Sequence, residues 1–180
     1  MLFRSVEKCC HYFDLINLLA DGQPRDVFAS GGQAVNFLNF MYEGRKSDID
    51  DHGFAIINYR NGIRANFTLN MFASEFYEEL VITGEKGRLV ASEKASADKT
   101  KQTKASIMVE VEGHQHYEGS KIGYPPSIEK SGHHGATFFE HEALISQLQQ
   151  NEVDAATPRQ GLMAMLVASA AQRSISENNV

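Results

Sequence analysis

The sequence predicts an α+β domain: an open, predominantly antiparallel sheet with helices packed on one face and the other face available for oligomerisation. Three observations carry this. An amphipathic helix pattern opens the chain, at least five strand-like runs joined by tight-turn signals fill its middle, and two further helical segments close it. At 180 residues the chain is long enough for one domain with a real core, and 42% hydrophobic against 22% charged residues is ordinary globular composition. The net charge of −6 and pI of about 5.6 exclude a broad nucleic-acid footprint, which needs a basic surface. No apolar run approaches the roughly 20 residues of a membrane span. Met1-Leu2-Phe3-Arg4 turns polar too soon for a signal peptide.

The first helix is read from about Arg4 to Leu19. Val6, Cys9, Cys10, Phe13, Ile16 and Leu19 recur at helical spacing and form a core-facing stripe. Glu7, His11 and Asp14, four and three apart, form the polar stripe beside it. Such a stripe is often only a solvated face. It also suits proton transfer, because a flanking carboxylate can orient an imidazole and fix its tautomer. The adjacent thiols of Cys9 and Cys10 point about 100° apart on a helix and do not normally bridge, so two reduced thiols and a cytoplasmic location are expected.

Asp21-Gly22-Gln23-Pro24 stops the helix. Val27 to Val35 reads as a strand, and Asn36 to Asp51 as a polar loop long enough to suspect a role. Gly53–Tyr59 and Ile63–Phe72 are strands joined by Asn61-Gly62, a strong hairpin signal. In the second, Ile63, Ala65, Phe67, Leu69 and Met71 alternate with polar residues, so one face is buried. Glu79–Thr83 and Arg88–Ser92 form a hairpin around Gly84-Glu85-Lys86-Gly87, and Ser106–Glu112 adds another strand. The lysine-rich stretch from Glu93 to Lys104 reads as a loop at a sheet edge, where lysines deter strand pairing. Helices follow over Ala136–Gln149 and from Thr157-Pro158 to about Ser176, the latter with Thr as cap and Pro in its first turn. Phe54, Ile56, Phe67, Leu69 and Met71 all need shelter, which predicts a homodimer or dimer of dimers through the uncovered sheet face.

Glu7 with His11 and Asp14 resembles the D-x-x-x-H-x-x-D helix of the Gfo/Idh/MocA oxidoreductases, the glucose–fructose oxidoreductase and inositol dehydrogenase relatives. Val81-Ile82-Thr83-Gly84-Glu85-Lys86-Gly87-Arg88-Leu89 is similar to their I-x-G-x-x-G-x-L hairpin, and Asp50-Asp51 with Asn61-Gly62 to their D-D…N-G strand pair. The motifs occur in the family's order across nearly the whole chain. The resemblance implies that residues 1–180 are a single C-terminal domain for substrate binding and oligomerisation, without the Rossmann domain of about 120–170 residues that would precede it. It implies an NAD(P)-dependent oxidation of a sugar, cyclitol or related polyol, with His11 as acid/base group. Glu7, one methylene longer than the family's aspartate, would orient the substrate hydroxyl or the imidazole, and Asp14 would orient His11. Lys8, His133 and His134 complete the expected substrate-binding set.

The family's lysine of an E-K-P motif is missing, because Glu7-Lys8 is followed by Cys9. No G-x-G-x-x-G or Walker loop occurs in the chain. Gly31-Gly32 comes nearest and lacks the third glycine. NAD or NADP is therefore expected in the full-length enzyme and no cofactor for this chain alone. No metal site is expected: His141-Glu142 begins like H-E-x-x-H, but Ile145 holds the second histidine's place, and His114 with His116 is only a spaced pair. The rival reading is a non-catalytic oligomerisation or ligand-binding module.

Overall fold

A computed structural model describes residues 9–95, 104–111, 114–118, 125–129, 131, 135–149 and 156–177. The elements are α1 (Cys10–Ala20), β1 (Pro24–Gly32), β2 (Met41–Tyr42), β3 (Arg45–Lys46), β4 (His52–Tyr59), β5 (Arg64–Asn70), β6 (Phe76–Gly84), β7 (Gly87–Ala95), β8 (Lys104–Val111), β9 (His114–Glu118), α2 (Pro126–Glu129), α3 (Ala136–Leu148) and α4 (Pro158–Ser176). The fold is α+β, and every described strand pair is antiparallel. The strands divide into a three-stranded sheet in the order β1-β4-β5, a four-stranded sheet β6-β7-β8-β9, and the small pair β2-β3. The chain forms two compact units, Met1–Phe72 with Ala156–Val180, and Ala73–Ala155.

The core of the first unit lies between its sheet and helices α1 and α4. Period-2 alternation decides which side chains enter it. On β4, Ala55, Ile57 and Tyr59 are buried while Phe54 and Ile56 are exposed. On β5, Ala65, Phe67 and Leu69 pack against the core. Helix α1 contributes Phe13 and Ala20, and α4 contributes Ala164, Val167, Ala168 and Ala171, small residues that let the helix lie close to the sheet. Thr157 and Gln160 form a reciprocal capping box at the start of α4: the Gln160 N–H donates to Thr157 Oγ1 at 3.3 Å, and the Thr157 N–H to Gln160 Oε1 at 2.7 Å.

Several expectations shift. Phe67 and Leu69 lie on the helix-covered face, so only Phe54 and Ile56 of the five apolar residues read as needing shelter stand with Phe28 on the opposite side. The stripe of α1 ends on buried Ala20 and leaves Leu19 exposed. The polar stretch read as a loop contains the β2-β3 hairpin, whose strands are too short to show alternation. Strand β9 and helix α2 were not read from the sequence.

In the second unit, β6 and β7 pair from Phe76↔Ala95 to Gly84↔Gly87, and β7 pairs with β8 from Gly87↔Val111 to Lys94↔Lys104. Gly87 is required there: a Cβ would collide with the Glu110 carbonyl oxygen of the neighbouring strand. Helix α3 buries none of its side chains.

Candidate functional site

Helix α1 is fixed along its length. Phe13 meets Phe67 edge-on with ring centroids 5.1 Å apart, and Tyr12 lies 5.6 Å from the same ring. The Tyr59 hydroxyl donates to Asn17 Oδ1 at 2.7 Å. Burial pushes the Tyr59 phenol up to about 12, so it stays a donor at any physiological pH. The helix ends with Asp21 in the left-handed region at φ 42°. Its last carbonyls are met from the β4-β5 turn: Asn61 Nδ2 donates to Ala20 O at 2.9 Å and Asp21 O at 3.3 Å. A Cβ on Gly22 would come within 2.6 Å of that amide, so glycine is what lets Asn61 reach in. The Asn-Gly hairpin thus turns the chain and caps the helix.

This anchoring presents His11 in the first turn of α1, exposed, with half-buried Asp14 one turn further along. No hydrogen bond or ion pair between the two is found among the described residues, so the structure gives them a shared face and no direct contact. Glu7, Lys8, His133 and His134 lie outside the described residues. Cys9 is a core residue: burial first, then the adjacent Cys10, raises its thiol to about 11, which keeps it protonated. Neither Cys9 nor Cys10 forms a disulfide. Among the described residues no group of three or more His, Cys, Asp or Glu side chains converges as a metal site.

A second constellation surrounds Asp51, which is fully buried. Its Oδ1 accepts from the Ala34 N–H at 2.8 Å, and its Oδ2 accepts from the Val35 and Asn36 N–H groups at 2.8 and 2.7 Å. His52 Nδ1 lies 3.1 Å from Oδ1. Burial opposes the charge on Asp51, but the hydrogen bonds from Val35, His52, Ala34 and Asn36 outweigh it and hold the carboxyl well below the usual carboxylate range. The carboxylate therefore acts as an internal anion in a nest of amides, and it fixes the start of the segment between β1 and β4. Gln33 Nε2 fastens the far end, donating to Ser47 O at 2.8 Å and Ile49 O at 2.9 Å. The sequence shows Asp50-Asp51 as a motif but not this role, because a nest is a property of backbone direction.

The sheet face opposite α1 and α4 carries exposed Phe28, Phe54 and Ile56 in adjacent register, with Asn66 and Thr68 of β5 beside them. Asp26 accepts from Asn58 Nδ2 at 2.5 Å on the same face. The Asn58 bond, then the Arg25 bond, lowers the Asp26 carboxyl and keeps it ionised.

Comparison with known proteins adds three findings. The profile of an oxidoreductase family, C-terminal alpha/beta domain, matches residues 5–180. No curated protein sequence matches. Solved structures with the same fold include the WlbA dehydrogenase from Bordetella pertussis in complex with NADH and UDP-GlcNAcA, at 16% identity and a TM-score of 0.62 over 98% of this chain and 43% of that one. UDP-N-acetylglucosamine 3-dehydrogenase GnnA from Acidithiobacillus ferrooxidans matches at 15% identity and a TM-score of 0.65, over 93% of this chain and 45% of that one. An aldose-aldose oxidoreductase from Caulobacter crescentus complexed with glycerol matches at 14% identity and 0.63, over 94% and 44%. The chain spans less than half the length of these three structures.

Proposed function

The chain belongs to this oxidoreductase family as its C-terminal α/β domain, and from that membership we propose that it supplies the substrate-binding surface and the acid/base group of an NAD(P)-dependent dehydrogenase acting on a CH–OH group of a sugar or related polyol. The observation that carries this reading is the placement of His11. It is an exposed imidazole on a helix held by Phe13, Tyr59 and Asn61, with Asp14 on the same face. A group that must meet a substrate hydroxyl has to be accessible, and one that must meet it in a set geometry has to be rigidly mounted.

A nucleotide-binding half joined to this chain would hold the dinucleotide, whose nicotinamide would supply hydride-acceptor chemistry. What this chain does is remove the hydroxyl proton through His11, with Asp14 and Glu7 available to orient the imidazole or the substrate. Lys8, His133 and His134 are proposed as substrate contacts. The neighbours complexed with UDP-GlcNAcA and with glycerol support a polyol or sugar-nucleotide substrate class. A cytoplasmic setting is part of this reading, since adjacent cysteines on one helix do not normally bridge.

The open sheet face favours a second role. Phe28, Phe54 and Ile56 are 43%, 56% and 47% exposed in one contiguous register, and a two-fold contact with another copy would shelter them. This makes the domain an oligomerisation module as well as a catalytic one. The test of the catalytic role is His11→Ala in the chain joined to its nucleotide-binding half. Turnover should fall about 10²–10⁴-fold, as for a lost general acid/base. Activity within about threefold of the parent, with folding intact, rules the role out.

A further inference from the structure

One polar side chain stands in the apolar stripe of α1. Asn17 lies four residues after buried Phe13 and three before buried Ala20, a place where a leucine would pack. Its Oδ1 accepts at 2.7 Å from the hydroxyl of Tyr59, a residue 1% exposed. Its Nδ2 is buried and has no acceptor among the described residues. A neutral hydrogen bond gains little net stability, because folding exchanges it for bonds to water, and a buried donor left unmet loses that exchange outright. The two effects oppose each other, so the Asn17–Tyr59 pair adds little to stability. What it adds is direction.

The apolar contacts of α1, with Tyr12 and Phe13 on Phe67, tolerate small slides and rotations, because apolar attraction is non-directional. The Tyr59–Asn17 bond does not. Tyr59 ends β4, and the turn fixes its backbone: its N–H donates to Ile63 O at 2.9 Å, and its carbonyl accepts from the Gly62 N–H at 3.1 Å. From the same turn Asn61 holds Ala20 O. The helix is therefore tied to one hairpin end at two points, a side chain and its C-terminus, which together set its rotation and its axial position. Asn17 is six residues from His11, about 120° round the helix, so the tie lies on the core side and the imidazole on the open side. Turning the helix by about 10° carries a side chain about 6 Å from the axis through about 1 Å. A misplacement of about 1 Å can cost about 10²-fold in rate.

We propose that Asn17 is a positioning residue: its bond to Tyr59 fixes the rotation of α1, and so the place of the His11 imidazole, rather than the stability of the fold. The inference rests on the acid/base reading of His11. A polar residue kept in an apolar seam, where apolar packing would serve, specifies one register out of several.

Three variants separate position from stability: Tyr59→Phe, Asn17→Leu, and the two combined. Phenylalanine keeps the ring, and leucine keeps the branched outline of asparagine. Each single change leaves a buried polar group unmet and should lower the urea midpoint. The double change leaves none and should restore the midpoint to the parent's value or above. Turnover should not follow. In the assay used for His11→Ala, with the chain joined to its nucleotide-binding half, kcat should fall at least about tenfold in all three variants, with KM within about twofold. NMR of the whole chain supplies a readout that needs no catalysis: the His11 amide and imidazole signals should shift or split in the double variant, although Asn17 lies on another face of the helix. A double variant that recovers kcat together with stability would overturn the proposal, as would His11 signals that stay at the parent's positions. If His11→Ala itself keeps the parent's rate, the acid/base reading fails instead, and the His11 signals alone decide whether Asn17 sets the helix.

Discussion

In the unit formed by Met1–Phe72 with Ala156–Val180, sheet and helices bury side chains against each other: Phe13, Ile57, Tyr59, Val167 and Ala168 are all at most 2% exposed. In Ala73–Ala155 the four-stranded ladder is as regular and its strands as long, yet no hydrophobic side chain is buried among the described residues. Leu80, Leu89, Val90, Ile107 and Met108 are only half-buried. Backbone pairing satisfies N–H and C=O groups, whereas apolar burial supplies most of the stability. Extended register alone is therefore no measure of how firmly a region is held, and His11, the proposed acid/base group, stands on the better-packed unit.

The widest separation between the units should come from core truncation. Phe13→Ala removes a ring packed against Phe67 and should cost about 3–5 kcal/mol. Leu89→Ala, on half-buried β7, should cost about 1 kcal/mol, since only part of its surface leaves water. Urea denaturation of the two variants compares them directly, and equal costs would erase the contrast.

Asp51→Ala comes next, at about 2–4 kcal/mol, because it leaves the amides of Ala34, Val35 and Asn36 without their acceptor. The carboxyl is held below its ordinary value in the folded state, so its contribution is full above the unfolded pKa of about 3.9 and is lost as the pH falls toward the folded one. The stability gap between parent and variant should be constant near pH 7 and narrow below about pH 4. A gap that widens on acidification would show that Asp51 is not held as an anion. The smallest effect concerns the helix that closes the first unit: Thr157→Ala should cost about 1 kcal/mol in thermal unfolding by removing the capping box.

Much of this contrast was legible from residue order. The α1 stripe through Phe13, the alternation of β5, the Asn61-Gly62 turn and the Thr157-Pro158 helix start all depend on local periodicity or cap chemistry, which a sequence displays. The face assignment of Phe54 against Phe67 was not legible, because it depends on register between strands. The nest around Asp51 depends on three backbone N–H groups pointing at one carboxylate, and no residue type signals that. Spacing puts His11 and Asp14 on a common face of α1, and the role proposed for them comes from the family resemblance.

His11 is the proposed proton-transfer group, and the pH dependence of kcat/KM in the chain joined to its nucleotide-binding half tests that role most directly. The parent should lose activity along an acid limb as the base becomes protonated, and His11→Ala should be slower by about 10²–10⁴-fold with that limb gone. A His11→Ala enzyme that keeps both the rate and the limb would place the acid/base chemistry elsewhere.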